Sequence, residues 1–300
     1  MSEVLPATGV RFDTDVQVLI IGAGACGLTA ALAARDRGSD VLVLERDATP
    51  SGSTALSSGF VPAAPTRFQR GLGIEDSVEL FLSDIVHKTK GGGDAELART
   101  VVTASAGTLE WFEDGHGLEW LVLDDFLYPG HRRHRMHAVP EKTGAALMAR
   151  LVAAGERADV PIATDTHVNA LYVRDDAVCG ARVVRPGGDE ETISCRSVIL
   201  ACNGYGGNRA LIRQYVSDMD EALYFGHAGN RGDALLWGQR LGAATRHLSG
   251  YQGHGSVATP HGILVTWALM MEGGIQVNAK GVRFSNEHEG YSEQAVQVLR

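Results

Sequence analysis

The sequence has few of the features that mark membrane, secreted or nucleic-acid-binding proteins. No apolar run approaches the roughly eighteen residues that a membrane-spanning helix needs, and residues 1–6 do not resemble a secretory signal. Lys and Arg total 27 against 36 Asp and Glu, so the net charge of −9 would repel nucleic-acid phosphates. We therefore expect a cytoplasmic protein that has no membrane span and no nucleic-acid partner.

Cysteine and proline are also scarce, with four and nine residues. The cysteines, Cys26, Cys179, Cys195 and Cys202, form no CxxC pair and no spacing typical of a zinc site. We therefore expect reduced thiols, as in cytoplasmic proteins, and no metal site.

Glycine, in contrast, is abundant, with 37 of the 300 residues, against a usual share of about 7%. No Gly-X-Y period is present, which excludes collagen. Glycine lets the backbone approach a large ligand closely. The composition therefore favours a long cofactor that lies along the chain, although a protein with many tight turns would show the same excess.

A βαβ unit is predicted within the first 45 residues. The apolar run 15–21 is typical of a strand that is buried on both faces. An Ala-rich segment at 28–37 has helical spacing and ends at Gly38. A second apolar run at 41–44 ends in Glu45, which completes the unit.

The turn of this unit contains a GxGxxG motif, formed by Gly22, Gly24 and Gly27 and including Ala23. Gly22 permits the tight turn, Gly24 lets the backbone approach a pyrophosphate, and Gly27 lets helix and strand pack closely. The carboxylate of Glu45 is placed to bind ribose hydroxyls. These residues predict a dinucleotide site but do not distinguish NAD from FAD.

Three later segments carry further polar or glycine-rich patterns. Residues 51–59 are rich in short polar side chains that could contact a phosphate and a ring system, or form a surface linker. The apolar run 198–200 breaks into Ala201, Cys202, Asn203 and Gly204. Asp233 lies in the first turn of a predicted helix, where it could bind a ligand or simply complement the helix dipole.

These elements, in this order, resemble the FAD-dependent oxidoreductases of the fumarate reductase and succinate dehydrogenase flavoprotein family, which includes the 3-ketosteroid dehydrogenases. The resemblance runs from about Asp15 to Arg300. Residues 274–287 add a segment that resembles the family's Asn–Glu hairpin. The resemblance implies an α/β, Rossmann-like FAD-binding domain of the glutathione-reductase type at 1–247. It also implies that an α+β capping domain begins at 248–300 and is incomplete, as in a fragment of a longer protein.

The resemblance also implies which residues hold the cofactor. The expected FAD contacts are Gly22, Ala23, Gly24, Gly27, Glu45, Ser53, Thr54, Ser58, Gly59, Val168, Ala201, Asn203, Gly204 and Asp233. Val168 is expected against the adenosine half. Ser53 stands where the succinate dehydrogenase branch has a His that is bonded to the flavin, so we expect non-covalent FAD.

Departures from the family pattern bear on the substrate. Trp267 and Met270 replace the Glu and Arg that relay protons in fumarate reductases. Tyr291 aligns with the Arg that protonates fumarate, as a Tyr does in steroid dehydrogenases, and His254 matches a family His near the substrate. We therefore expect Tyr291 and His254 to be catalytic. The alternatives are that Tyr291 is a packing residue of the capping domain and that His254 is a hydrogen-bonded structural residue. The expected reaction is hydride transfer between a CH–CH bond and flavin N5, on a ketone or enone such as a 3-oxosteroid.

Other functions stay open at this point. A fumarate reductase-like enzyme would reduce an unsaturated carboxylate, and a non-catalytic flavin-binding protein would explain the lost Glu and Arg. A nicotinamide-dependent dehydrogenase would not explain residues 51–59 or Asp233. An enzyme of the expected type needs a small-molecule substrate and an electron donor or acceptor, which the sequence does not identify.

A basic cluster at 131–137 contains three His and three Arg. Three guanidinium groups would repel a metal ion, but they could bind an anion or a substrate oxygen. The alternative is a solvated basic loop. Tyr128, just before the cluster, lies where steroid dehydrogenases have an active-site Tyr.

Overall fold

The computed structural model describes residues 2–300 as a mixed α/β protein, which confirms the predicted class. The strands are β1 (Glu3–Pro6), β2 (Thr14–Ile21), β3 (Val41–Leu44), β4 (Val61–Pro62), β5 (Leu121–Val122), β6 (Met136–Ala138), β7 (Ile162–Ala163), β8 (His167–Arg174), β9 (Ala177–Val184), β10 (Glu190–Leu200), β11 (Val257–Ala258) and β12 (Ile263–Leu264). The α-helices are α1 (Ala25–Arg35), α2 (Gly52–Leu56), α3 (Arg67–Gly71), α4 (Val78–Lys88), α5 (Ala95–His116), α6 (Gly144–Arg157), α7 (Arg209–Tyr215), α8 (Asp233–Arg240), α9 (Ala268–Met271) and α10 (Tyr291–Leu299). Short 3₁₀ turns lie at Ser217–Met219 and Glu287–Glu289.

The chain divides into two compact units, and each is built from two separate stretches of sequence. The first unit contains the residues up to Gly59 together with Thr143–Ser249, and the second contains Phe60–Lys142 and Gly250–Arg300. The second unit therefore includes a long segment that the sequence-based division assigns to the FAD-binding domain. That division, at 1–247 and 248–300, stays a prediction.

The first unit is organised around a seven-stranded sheet in the order β1-β8-β9-β10-β2-β3-β7. Strands β10, β2, β3 and β7 are parallel, as are β1 and β8, whereas β9 is antiparallel to both of its neighbours. Leu19, Ile20 and Val43 are fully buried, as expected for central strands covered on both faces. Ile21 pairs with both Leu44 and Leu200, so three strands end at the same edge of the sheet.

The sequence also predicts a helix that begins at Pro140 and a loop over residues 50–65, and both predictions are wrong in detail. Helix α6 begins at Gly144 and not at Pro140, because the chain turns first, with the Lys142 amide bonded to the Val139 carbonyl, and Thr143 then caps the helix. The Thr143 hydroxyl accepts a hydrogen bond from the Ala146 amide, which satisfies one of the free donors of the first turn. Residues 50–65, expected as loop, contain the short elements α2 and β4.

The second unit contains the amphipathic helix α5, for which the sequence pattern predicts a helix over 94–114. Asp94 caps it by accepting from the Leu97 amide at 3.0 Å, and Gly117 ends it with a left-handed φ of 69°. Its buried face includes Leu109 and Phe112. Within residues 2–300, neither α5 nor any other helix is long and apolar enough to cross a membrane.

A buried ion cluster in the second unit uses part of the basic segment. Arg135 contacts Asp76 at 2.6 Å and Asp84 at 2.5 Å, and all three side chains are almost completely buried. Burial acts to raise the pKa of Asp84, but hydrogen bonds from Arg135 and Arg132 outweigh it and hold this pKa below the usual 3.8. Arg132 and Arg135 are therefore occupied by carboxylates, and neither supports the expected anion site.

We expect the substitution Arg135→Met to lower the free energy of unfolding of the full-length protein by about 3–5 kcal/mol, because two buried carboxylates lose their cation. Chemical denaturation followed by circular dichroism measures the change. Arg133→Met is the matched control, because Arg133 is exposed and, among residues 2–300, donates hydrogen bonds to the backbone carbonyls of Glu75 and Arg132 and to no carboxylate. Its effect should stay within about 0.5 kcal/mol. Equal losses in the two variants would contradict the assigned role of Arg135.

Candidate functional site

A cavity of about 350 Å³ opens in the first unit where β2, β3 and β10 end. Parallel sheets place ligands in this position, because the loops that follow the strands diverge there. The wall combines the glycine turn after β2, the residues after β3, the start of α2 and the loop before α8. The fold therefore brings together segments that are far apart in the sequence.

The three glycines of the turn after β2 have different roles. At Gly22, which has a φ of 107°, an added Cβ would lie 2.6 Å from the Ala201 carbonyl oxygen on the neighbouring chain segment. At Gly27 a Cβ would lie 1.8 Å from the Gly22 oxygen. At Gly24 the nearest atom to a Cβ is the Thr54 hydroxyl at 3.9 Å, and Gly24 lines the cavity. Gly22 and Gly27 are required by packing, whereas only the cavity itself requires Gly24 to lack a side chain.

The carboxylate of Glu45 lies in the cavity wall and is held by two backbone amides. Its Oε2 accepts from Ala23 at 2.8 Å, and its Oε1 accepts from Asp47 at 3.0 Å. An ionised carboxylate offers about four acceptor sites. Glu45 is therefore fixed in orientation and retains acceptor capacity for the hydroxyl groups of a ligand.

Ser53 lies in the wall with its hydroxyl oxygen already used as an acceptor. Ser53 Oγ receives hydrogen bonds from the His227 amide at 3.1 Å and from Asn230 Nδ2 at 2.8 Å. A hydroxyl oxygen has two acceptor lone pairs, so what remains to Ser53 is its O–H donor. A donor in this place suits an anionic oxygen, such as that of a phosphate.

The loop before α8 is fixed to the other wall segments by polar contacts. His227 Nε2 lies 2.9 Å from an Asp47 carboxylate oxygen, and the Asn230 amide also donates to the Tyr224 hydroxyl at 2.7 Å. Asn230 is buried, and both it and His227 line the cavity. Asp233 begins α8 and accepts a hydrogen bond from the Ser2 hydroxyl. These contacts within the protein fix the shape of the cavity wall.

Most of the cofactor residues predicted from the sequence lie in this wall. Those that line the cavity are Gly22, Gly24, Glu45, Ser53, Thr54, Val168, Ala201, Asn203 and Asp233. Those outside the lining are Ala23, Gly27, Ser58, Gly59 and Gly204. Among the latter, Ala23 orients Glu45, and Gly59 packs against the start of α6, where a Cβ would lie 2.8 Å from the Thr143 oxygen.

Sequence reasoning missed several other residues of the wall. These are Cys26, Arg46, Asp47, Thr166, His167, His227, Asn230 and Trp237. Three of the eight adjoin predicted positions: Cys26 precedes Gly27, Arg46 follows Glu45, and His167 precedes Val168. Trp237 follows Asp233 by one helical turn, and this spacing places the two residues on one face of α8.

The two predicted catalytic residues lie together in the second unit. The rings of His254 and Tyr291 are stacked, with centroids 5.2 Å apart and planes inclined by 12°. Trp267 packs edge-on against both, with ring centroids 5.8 Å and 6.2 Å away. Within residues 2–300, no group of three or more His, Cys, Asp or Glu side chains could hold a metal ion.

A short hydrogen-bond chain orients His254. Its Nδ1 lies 2.9 Å from the Ser256 hydroxyl, which in turn donates to the Val265 carbonyl at 2.6 Å. Since the only proton of that hydroxyl goes to Val265, Nδ1 must carry the proton that it donates to Ser256. Burial lowers the pKa of His254, so the ring is neutral at pH 7. Its Nε2 is therefore an acceptor.

Tyr291 is a protonated phenol in this setting. Burial, with a smaller contribution from Glu293, raises its pKa above 10 and outweighs a hydrogen bond with Gln252. Burial likewise raises the pKa of nearby Tyr128 to about 12, and Tyr291 adds to the effect. Arg283, eight residues before Tyr291, binds Glu287 at 2.6 Å and is therefore not free to promote a phenolate. Tyr291 is therefore a hydrogen-bond or proton donor near neutral pH.

Comparison with known proteins identifies the cofactor. A family model described as "FAD binding domain" matches residues 17–300. The chain belongs to this family. Membership in the fumarate reductase and succinate dehydrogenase flavoproteins, and FAD as the cofactor, are thereby confirmed as the sequence predicts.

Three relatives show how far the similarity extends. The NADH:fumarate oxidoreductase of Klebsiella pneumoniae strain 342 is 30% identical over 286 residues, which are 94% of this chain and 30% of the relative. The open conformation of a flavocytochrome c3 fumarate reductase has a TM-score of 0.83 and 28% identity over 97% of this chain and 51% of its own. The 3-ketosteroid-Δ4-(5α)-dehydrogenase of Rhodococcus jostii RHA1 has a TM-score of 0.82 and 25% identity over 98% and 66%. The chain thus spans less than two thirds of each of these relatives.

The residues of the cavity fit FAD. The donor left on Ser53, the amide end of α1 and the cation of Arg46 suit a pyrophosphate. The free acceptor sites of Glu45 suit ribose hydroxyls. Gly24 leaves open the space that a Cβ would fill. The donor set therefore agrees with a phosphate-containing dinucleotide.

Substitutions at the glycines should distinguish an effect on folding from an effect on cofactor binding. In the full-length protein, Gly24→Ala should leave the melting temperature of the apo-form within about 2 °C of wild type, because its Cβ meets nothing closer than 3.9 Å. It should weaken FAD binding by at least about tenfold, measured by isothermal titration calorimetry, because the methyl group enters the cavity.

Gly27→Ala is the matched comparison, because the same methyl group would press on the Gly22 carbonyl. We expect this variant to lose folded protein rather than affinity alone. Wild-type FAD affinity in Gly24→Ala would contradict the placement of the cofactor beside Gly24.

Proposed function

We propose that the full-length protein is an FAD-dependent oxidoreductase that acts on a CH–CH bond next to a carbonyl group, in a ketone or enone. The observation that carries the proposal is the neutral aromatic cluster formed by His254, Tyr291 and Trp267 in the second unit. Bound FAD supplies the hydride acceptor or donor at flavin N5. The side chains of the cluster bind the substrate and hold or move its proton.

The charges near the cluster support a neutral substrate. Recognition of a carboxylate normally uses a cation that is free to pair with it, often Arg. Arg283 is bound to Glu287, which is buried, and Lys88 is bound to Glu293 at 2.6 Å. Trp267 packs on both other rings of the cluster and carries no charge. A carbonyl oxygen needs only hydrogen-bond donors, which neutral side chains can supply.

Two side chains have distinct proposed roles. Tyr291, with its raised pKa, donates a hydrogen bond to the substrate carbonyl or a proton to the reduced carbon. His254, with its proton fixed on Nδ1, offers Nε2 to a hydroxyl or to an acidic C–H of the substrate. The pair can therefore handle the proton that accompanies hydride transfer in either direction.

Reduction of an unsaturated carboxylate is the second candidate. It is favoured by the name of the Klebsiella relative, an NADH:fumarate oxidoreductase, and by the similarity to a flavocytochrome c3 fumarate reductase. The similarity to a 3-ketosteroid dehydrogenase favours the first candidate. In both cases we propose a small-molecule substrate and a separate electron donor or acceptor. The cytoplasmic location stays a prediction.

Reoxidation of the reduced full-length holoenzyme distinguishes these candidates. The flavin is reduced without oxygen, and its absorbance is followed after mixing with 2-cyclohexenone, a 3-oxo-4-ene steroid, fumarate or urocanate. We expect an enone to restore the oxidised spectrum faster than either carboxylate. A faster response to fumarate or urocanate would support the second candidate and overturn the first. If none of these compounds reacts, the oxidised holoenzyme is mixed with the corresponding saturated ketones, and the absorbance of its flavin should then decrease. If the absorbance does not change there either, the protein is not an oxidoreductase of this substrate class.

Tyr291→Phe should slow substrate-driven flavin reduction or reoxidation by about 10²-fold or more, because it deletes the hydroxyl and keeps the ring. FAD content, measured by absorbance, should stay at the wild-type level. Tyr251→Phe is the control, since Tyr251 is about 42% exposed and should retain the wild-type rate. A wild-type rate in Tyr291→Phe would reduce Tyr291 to a packing residue of the cluster.

We also propose that FAD is held without a covalent bond. Ser53 has no nucleophilic ring nitrogen, and its Oγ already accepts two hydrogen bonds. Acid precipitation of the full-length protein should therefore release all flavin into the supernatant. Flavin that stays in the washed pellet would contradict non-covalent binding.

A further inference from the structure

The cavity wall contains a buried hydrogen-bond donor with nothing to donate to. The indole Nε1 of Trp237 is buried, and no residue in the described range 2–300 is its partner. The residue as a whole is 1% exposed, and it lines the cavity. An indole N–H can only donate a hydrogen bond, so the partner that it lacks must be an acceptor.

Leaving such a donor unsatisfied is costly. A buried polar group without a partner loses its hydrogen bonds to water and gains none in return, and most buried polar groups in proteins therefore have a partner. The same position filled by Met, Leu or Phe would pack against the apolar cluster without this cost. The residues that pack with it are mostly aliphatic, such as Leu19, Val168 and Leu171, and none of the described residues accepts a hydrogen bond from the indole. A ligand of the cavity is the natural source of the missing acceptor.

The position of Trp237 indicates which part of the cofactor supplies it. Trp237 packs in one cluster with Val168 at the start of β8 and with Leu44 at the end of β3. Glu45 follows Leu44 directly, and a carboxylate at this place in the fold binds the ribose of the adenosine half. Adenine carries ring nitrogens that accept hydrogen bonds without donating, which is complementary to an indole N–H.

We propose that Trp237 is a cofactor-binding residue whose Nε1–H donates a hydrogen bond to the adenosine half of FAD. It acts from α8, together with Glu45 from the end of β3. The assignment concerns how the dinucleotide is held and does not depend on the reaction proposed above. The pair is completed only when the cofactor is bound, which explains why a polar aromatic ring occupies an otherwise apolar cluster.

The test measures cofactor affinity and requires no substrate. In the full-length apo-protein, Trp237→Phe should raise the dissociation constants of both FAD and ADP by about tenfold in calorimetric titrations, as expected for one lost hydrogen bond in a buried site. ADP contains the adenosine half without the flavin, so it reports on that half directly. A weaker FAD complex with unchanged ADP binding would overturn the assignment to adenosine.

A matched control removes the effect of ring size. Trp120 is also buried, its indole nitrogen lacks a partner in the described part of the chain, and it lies in the second unit. Trp120→Phe should change stability but leave ADP affinity within about twofold of wild type. A loss of ADP affinity in this control equal to that in Trp237→Phe would overturn the proposal.

A second variant keeps the shape and deletes only the donor. Incorporation of β-(3-benzothienyl)alanine at position 237 retains the fused ring and replaces N–H with sulfur. If the hydrogen bond exists, this protein should keep the wild-type apo melting temperature and show the same tenfold weaker ADP binding. Wild-type ADP affinity in this variant would show that Trp237 contributes only packing.

Discussion

The site depends on the close approach of two strand ends. At the end of β2, Gly22 meets the backbone of Ala201 at the end of β10, and the positive φ of Gly22 turns the chain into α1. A side chain at Gly22 would force these segments apart, and one at Gly27 would push α1 away from the Gly22 carbonyl. With them in contact, the start of α1, the end of β3 and the residues after β10 bound one cavity. The shape of the cavity is thus set first by backbone geometry and only then by individual side chains.

The charged and polar groups have different roles in the two units. In the first unit, polar groups of the cavity wall bind to one another in ways that leave Ser53 a donor and Glu45 an acceptor. In the second unit, cations such as Arg135 and Arg283 are paired with carboxylates. An anion is therefore suited to the first unit and a neutral molecule to the surroundings of Tyr291. This contrast agrees with a phosphate-containing cofactor and supports the proposed carbonyl substrate.

The sequence predicts the local part of this arrangement well. The strands β2 and β3, the turn at Gly22 and the position of Glu45 follow from patterns within one stretch of chain. The acceptor role of Ser53 and the proton on His254 Nδ1 depend on partners, such as Asn230 and Val265, that no periodicity reveals. The same is true of the basic segment at 131–137, because Arg135 is buried through ion pairs with Asp76 and Asp84, which are distant in the sequence. Residue types could be predicted, but their hydrogen-bond partners could not.

Pairing between distant strands also determines when the strands of the sheet can pair during synthesis of the chain on the ribosome. Strands β2 and β3 emerge early, yet the partner on the other side of β2 is β10. Until Leu200 has emerged, one edge of β2 has exposed amides and carbonyls and an apolar surface that favours aggregation. The stretch that later belongs to the second unit, Phe60–Lys142, is synthesised during this interval. We expect nascent chains to need protection by a chaperone until the β8–β10 segment can add to the sheet.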